Sequence, residues 1–267
     1  MVGQDKTCSL GDAVRLISDG DAIALGGARG YDHPLAAVRE IIRQKRRGLH
    51  VVGCSKSIAM DLLAAAGCAS LVEPDAGPRL RAAALGLPML PLPDGADRSF
   101  TDPSARPFVD PFTGETALAV RALNPAFAIV HARWADAHGN AELACGLNGE
   151  SEGDLMIARA ARRVIVTTEQ IVSEAAMAVG RGCAVLSGDR VASVVEAPFG
   201  THPCDCEERY AGDLPGLDRC RAAAADPDAF AAWRSEYVDS VADHWGYVDR
   251  IGSRRLMGIS LNRACRA

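Results

Sequence analysis

A chain of 267 residues, 48% hydrophobic and 24% charged, has the composition of a globular protein and suits one large α/β domain or two small ones. Its net charge of −5 excludes the basic face that a nucleic-acid binder needs. No apolar run reaches membrane length and no signal-like leader opens the chain. Together with nine cysteines that mostly stand singly in apolar surroundings, this predicts a cytoplasmic protein with free thiols.

The chain opens with a capping box at Ser9 and Asp12, then Leu10, Ala13, Val14 and Ile17 recur at helical spacing. Asp19-Gly20-Asp21 is a turn, and residues 22–25 form a first buried strand. That strand runs into Gly26-Gly27-Ala28-Arg29-Gly30, and a helix follows from Pro34 with Leu35, Val38, Ile41 and Ile42 as its core stripe. A buried strand ending in two glycines lets backbone approach a ligand, and the next helix offers N–H groups to an anion. The basic run Arg43, Lys45, Arg46 and Arg47 suits the negative end of that helix and reads as a solvated face.

Residues 49–53 and 69–72 read as strands, separated by a helix over 58–66. Strand and helix alternating at this spacing predict right-handed βαβ units and a parallel sheet. A short helix over 80–85 precedes a proline-spaced stretch, 87–93, that is extended and unfit for a central strand. Residues 94–114 read as a long loop. Strands follow at 115–120 and 127–131, a polar turn at 135–140, and a short strand at 141–145. A helix over 154–163 carries Leu155, Ile157, Ala158 and Ala161 inward, and strands return at 164–167 and 191–195. From 218 to 247 the chain reads as amphipathic helix with Phe230, Trp233, Tyr237, Val241 and Trp245 on its core face. The division expected is an α/β domain over 1–217 with a helical extension, 218–267, packed on it.

His131, His138 and His202 each fall at or just after a strand, where an open α/β sheet lines its ligand crevice. His202, Cys204 and Cys206 lack the paired spacing of a zinc site, so no metal is expected. The glycine order departs from G-x-G-x-x-G, and no acidic residue ends the second strand, which argues against a dinucleotide enzyme.

The ordered set Asp19 to Gly27, Pro34 to Ile41, Ala82 to Pro88, Ala128 to Ala132, Asp136 to Asn140, Val166 to Ile171 and Val195 to Pro203 resembles the α subunit of family I coenzyme A transferases, glutaconate type. The resemblance implies an open, mostly parallel, doubly wound sheet and a homologous β subunit in an αβ or α2β2 complex. It implies that a β-subunit glutamate attacks an acyl-CoA, forms an acyl-glutamyl anhydride and then a glutamyl-CoA thioester, and that a second carboxylate takes the CoA. The acyl-CoA is a substrate, with no permanently bound cofactor, and the chain itself contributes no catalytic residue. Its pocket residues are expected at Gly26, Gly27, Ala28, Arg29, His138, Gly139, Asn140 and His202. Gly149-Glu150-Ser151-Glu152-Gly153 is the nearest thing to a nucleophile motif and lies where the α chain of this family carries a loop before a helix. Two features depart from the family: Arg29 follows the turn where a phenylalanine is usual, and most of an additional strand and helix between Gly67 and Ala82 is absent. The alternatives are a related hydrolase subunit that opens a cyclic β-ketoacyl-CoA in steroid-ring breakdown, and a non-catalytic scaffold subunit.

Overall fold

The computed structural model describes residues 4–27, 31–92, 105–143, 151–177 and 185–264. Its centre is a six-stranded parallel sheet built from β1 (Ala22–Leu25), β2 (Leu49–Val52), β3 (Ala69–Glu73), β7 (Phe127–Ala135), β9 (Arg163–Ile171) and β11 (Val191–Glu196), in the order β3-β2-β1-β7-β9-β11. Helices cover both faces, so the sheet is doubly wound as expected. On one face α1 (Leu10–Arg15), α2 (Leu35–Arg43) and α3 (Ile58–Ala65) bury Val14, Leu35, Val38, Ile41 and Leu62 against Ile23, Val51 and Ile129. On the other, α4 (Gly77–Ala84) and α5 (Ser151–Ala160) bury Leu80, Ile157 and Ala158 against Ala24, Val52, Val130 and Val166. Central strands buried on both sides explain their continuous apolar runs. Between Gly67 and Ala82 the chain holds only β3 and the first part of α4.

Several elements run longer than periodicity predicts, for a common reason. The strand expected to end at 131 continues to Ala135, and the one expected at 164–167 spans Arg163–Ile171, because Trp134 and Ala135 pair with Gln170 and Ile171 beyond the main sheet. Polar residues such as His131, Thr167 and Glu169 are thus strand residues whose side chains meet one another, although they read as strand ends. At the tip, β8 (Ala141–Glu142) and β10 (Val185–Leu186) add antiparallel.

The expected loop over 94–114 is corrected in part: Arg106–Val109 is a strand, β5, paired antiparallel with β6 (Thr116–Arg121), which also pairs with β4 (Met89–Leu92). Pro91 and Pro107 lie on the two edge strands of this small sheet, the place a missing N–H is tolerated. The single C-terminal helix expected over 218–247 is also corrected. It is broken into α7 (Leu214–Ala225), α8 (Pro227–Arg234), a π-helical turn over Ser235–Asp239, and α9 (His244–Ile251), with α10 (Ser253–Ala264) beyond. Asp226 caps α8 through Ala229 N–H ahead of Pro227, and Asp243 caps α9 through Gly246 N–H. Each is an N-cap that restarts the helix on a new axis. The aromatic stripe is nonetheless core: Phe230, Trp233, Tyr237 and Tyr247 join the α2–α3 cluster. Trp245 is instead half-exposed. Among the described residues no helix is long and apolar enough to cross a membrane.

Candidate functional site

β1 has β2 on one side and β7 on the other, and the chain winds away from it in both directions. The carboxyl end of β1 is therefore the topological switch point of the sheet, where open α/β folds leave a crevice. Gly26 and Gly27 occupy that position. A side chain at either would displace its surroundings: a Cβ on Gly26 would lie 3.0 Å from Asp154 Oδ1, and one on Gly27 2.4 Å from His33 Nδ1 and 2.7 Å from the Tyr31 carbonyl oxygen. Gly27 also has φ of 90°, a conformation that side-chain-bearing residues avoid.

The turn is held by groups that come from far along the chain. Gly26 N–H donates to the Ile129 carbonyl at 2.9 Å, continuing the β1–β7 ladder. Gly27 N–H donates to Asp154 Oδ1 at 2.8 Å, and His33 Nδ1–H donates to the Gly26 carbonyl at 3.2 Å. Both glycine amides are therefore engaged within the protein. The following helix end is engaged too: Leu35 N–H meets the His33 carbonyl, and Ala36 N–H meets the Gly200 carbonyl. The expectation that α2 opens toward an anion is corrected at these two donors: Leu35 N–H is closed by the turn just before the helix, and Ala36 N–H by the segment that follows β11. Its own amides hold the turn in shape, and Asp154, Val130, His33 and the Tyr31 carbonyl fill the space that side chains at the two glycines would take.

Beneath it lies a buried polar network that runs across the ends of β1, β7 and β9. His131 Nε2–H donates to Glu169 Oε1 at 2.9 Å, and its Nδ1 lies 2.9 Å from the Thr167 hydroxyl. Glu169 also accepts from Tyr210 O–H at 3.0 Å and from the amides of Phe199 and Gly200 at 3.0 and 3.2 Å. Asp32 accepts from Glu207 N–H at 3.1 Å and from the Cys206 thiol. Burial pushes Asp32 up to about 6 and Asp154 up to about 7, the Gly27 amide opposing the latter and the Asp32 charge adding to it. Burial also raises Glu169, but the hydrogen bonds from His131, Phe199 and Tyr210 outweigh it and hold the carboxylate below its ordinary value. Three carboxyls of one cluster thus carry different proton affinities, set by how many donors each receives.

The other residues expected from the sequence lie elsewhere. The turn at His138-Gly139-Asn140 is folded by Asp136, which accepts from His138 N–H, Asn140 N–H and Asn140 Nδ2. It packs on Gly188 through Asn140 Oδ1 and on Gln4 through His138. His202 is 1% exposed; its ring bonds Tyr247 O–H at 2.6 Å and Asp213 Oδ2 at 3.0 Å. Neither set of contacts includes the double-glycine turn. Ala28 and Arg29 lie outside the described residues, as do Gly149 and Glu150. Sequence reasoning missed Asp32, Asp154 and Tyr210, and weighed Cys206 only as a metal ligand. His131, Glu169 and Cys206 bring ligand-type atoms within 4.8 Å of one another; the imidazole and carboxylate are hydrogen-bonded to each other. Cys204 of the H-x-C-x-C run is buried apart from them, against the apolar core.

The His202 site carries a stability prediction. Despite burial, hydrogen bonds from His202 and Arg255 hold Asp213 down to about 2, so its contribution is present above pH 4 and is lost as pH falls through 2. Asp213→Asn is expected to destabilise the protein by about 2–3 kcal/mol at pH 7, with the difference shrinking toward pH 2 in urea unfolding. Equal stability at pH 7 would remove Asp213 from the anchoring of the C-terminal helices.

The architecture is that of the α/β subunits found in CoA transferases. A coenzyme A transferase family profile matches residues 77–181. The chain is 32% identical to the α-type chain of 3-oxoadipate CoA-transferase from Pseudomonas knackmussii, over 86% of this chain and 92% of that one. It is also 32% identical to an uncharacterized protein of Archaeoglobus fulgidus over 94% of its own length, and spans 64% of that relative. The crystal structure of glutaconate coenzyme A-transferase from Acidaminococcus fermentans superposes with a TM-score of 0.83 at 28% identity, covering 95% of each chain. The chain belongs to the coenzyme A transferase family and is similar to its α subunits.

Proposed function

We propose that this chain is the α subunit of a heteromeric acyl-CoA:carboxylate CoA-transferase that takes a short or dicarboxylic acyl-CoA, and that a homologous β subunit supplies the nucleophilic glutamate. The observation that carries this reading is the switch-point turn. Gly26 and Gly27 let the backbone make a tight turn at the switch point that no side chain would permit, while the neighbouring carboxyls Asp32 and Asp154 are buried and hydrogen-bonded rather than presented for attack. The likeness to the α-type chain of a two-subunit relative supports the division of labour. Coenzyme A enters as the thioester substrate, and the protein works in the cytoplasm, consistent with six described cysteines that are all free thiols.

Within this reading Gly26, Gly27, Ala28 and Arg29 border the thioester end of CoA. The His138–Asn140 turn and His202, each bonded within the fold, act as scaffold. An arginine after the turn suits a carboxylate or phosphate oxygen, which it can meet with two parallel hydrogen bonds. Arg29→Ala is expected to weaken acyl-CoA binding by about tenfold, measured by calorimetry on the αβ complex; unchanged affinity returns Arg29 to the solvated surface. The decisive experiment is co-expression with a candidate β subunit. The pair should exchange CoA between an acyl-CoA and a free carboxylate, and borohydride should trap a glutamyl-CoA thioester on the β chain. Transfer by the purified α chain alone overturns the division, and thioester hydrolysis without transfer overturns the transferase reading.

A further inference from the structure

At the opposite end of the sheet from the glycine turn, a cavity of about 370 Å³ opens where α2 and α3 end and β2 and β3 begin. Its wall includes Lys45, Arg46, Arg47 and Arg234, with Gly67 and Cys68 at the back. Among the described residues no carboxylate lines it. Two carboxylates stand nearby: Asp239 pairs with Arg234 at 3.2 Å, and Asp19 accepts the Arg47 backbone amide at 2.9 Å. Arg46 donates from one terminal nitrogen to Gln44 Oε1 at 3.0 Å, and its Nε is buried without a partner. The side chains of Lys45 and Arg47 form no hydrogen bond or ion pair among the described residues.

The ordinary explanation for cations here is that they neutralise the negative ends of α2 and α3. The hydrogen bonds argue against it as a full account. The last carbonyls of α2, those of Glu40, Ile41 and Ile42, accept from the backbone amides of Gln44, Arg46 and Lys45. The last of α3, those of Leu62, Leu63 and Ala64, accept from the amides of Ala66, Cys68 and Gly67. Three of the last four carbonyls of each helix are thus closed by backbone, which leaves only those of Arg43 and Ala65 for the cationic heads to cap. Among the described residues three of the four cations have no carboxylate partner, in a chain of net charge −5, and they converge on a cavity large enough for a ligand.

We propose that this pocket is a second ligand site, which binds a small polyphosphate anion between Lys45, Arg46, Arg47 and Arg234. The ligand carries two or more adjacent negative charges, because a single charge would leave most of the cations unmatched. The site lies at the amino ends of the strands and is separate from the switch-point crevice, so it does not rest on the transferase reading.

Calorimetric titration of the full chain with inorganic pyrophosphate and, separately, ADP tests it at about 50 mM salt, where exposed charges are little screened. Saturable one-site binding is expected, weakened about tenfold or more in the double variant Arg46→Gln/Arg47→Gln. Lys45→Gln, at an exposed side chain that leaves the fold untouched, should weaken it as well. Arg221→Gln, which removes an exposed cation paired with Asp218 on α7, should not. Tighter binding of ADP points to a nucleotide as the source of the phosphates, and equal binding to a free polyphosphate. Absence of pyrophosphate and ADP binding by the native chain overturns the proposal, as does binding that Lys45→Gln and Arg221→Gln weaken equally.

Discussion

Gly27→Ala is expected to lose about 2–5 kcal/mol of stability and, in the αβ complex, measurable acyl-CoA binding. Two independent costs add at this residue. A φ of 90° is strained for any L side chain, about 1–2 kcal/mol. The new methyl would also sit 2.4 Å from His33 Nδ1, 2.7 Å from the Tyr31 carbonyl oxygen and 2.8 Å from His33 Cα. Two of those three atoms are backbone, which cannot swing aside, so an overpacking cost of about 1–3 kcal/mol follows. Gly26→Ala should be milder, about 1–2 kcal/mol, because its methyl would meet the side chains of Asp154 and Val130 at 3.0–3.1 Å. Its effect should fall on the Asp154–Gly27 hydrogen bond more than on global stability. Urea unfolding of both variants checks the ranking. A Gly27→Ala protein within about 0.5 kcal/mol of native would show that the turn relaxes, and would remove the geometric argument for the site.

Much of the sheet was legible because its strands are short apolar runs bounded by glycine. Residues 22–25 and 49–53 read as buried strands, and the structure pairs them side by side in the sheet. The double glycine was legible as a tight turn after a buried strand, but its place at the switch point was not, because the pairing of β1 with β7 joins residues more than a hundred positions apart. What was not legible has a physical cause in each case. β5 sits in a proline-rich stretch whose strand character comes only from β6, a partner it pairs with after a turn through Phe112 and Gly114. Glu169 reads as the polar end of a strand because nothing local shows that Tyr210, forty-one residues on, will donate to it. Asp154 did leave a signal. It stands three, four and seven residues before Ile157, Ala158 and Ala161, in register with the apolar stripe of α5. A carboxylate on the core face of a helix needs a buried donor, and the donor here is the Gly27 amide.

That carboxylate gives the pH prediction of largest effect: at pH 8, Asp154→Asn is expected to be more stable than the native protein. Burial holds the Asp154 carboxyl up to about 7 in the folded chain, against an ordinary value near 3.8. Between those values the folded protein keeps a proton that the unfolded chain has released, so native stability falls as pH rises from about 4 through 7. Integrated over the interval the loss is on the order of 4 kcal/mol. An amide cannot ionise, and its Oδ1 can still accept from Gly27 N–H in the position the carboxylate uses. It replaces the acid proton with an NH₂ group that needs a partner, which offsets about 1 kcal/mol. The net gain at pH 8 is therefore about 3 kcal/mol, and it should vanish or reverse near pH 4, where Asp154 is protonated in both states. Asp32, pushed up to about 6 by the same burial, adds a slope of the same sign to both proteins, and part of the gain at pH 8 is the relief of the repulsion between its charge and that of Asp154. Urea midpoints of the two proteins at pH 4 and pH 8 measure it directly. A variant less stable at both values would mean that Asp154 is ionised beside Gly27 and stabilised there, and the turn would then rest on a charge-assisted bond rather than a neutral one.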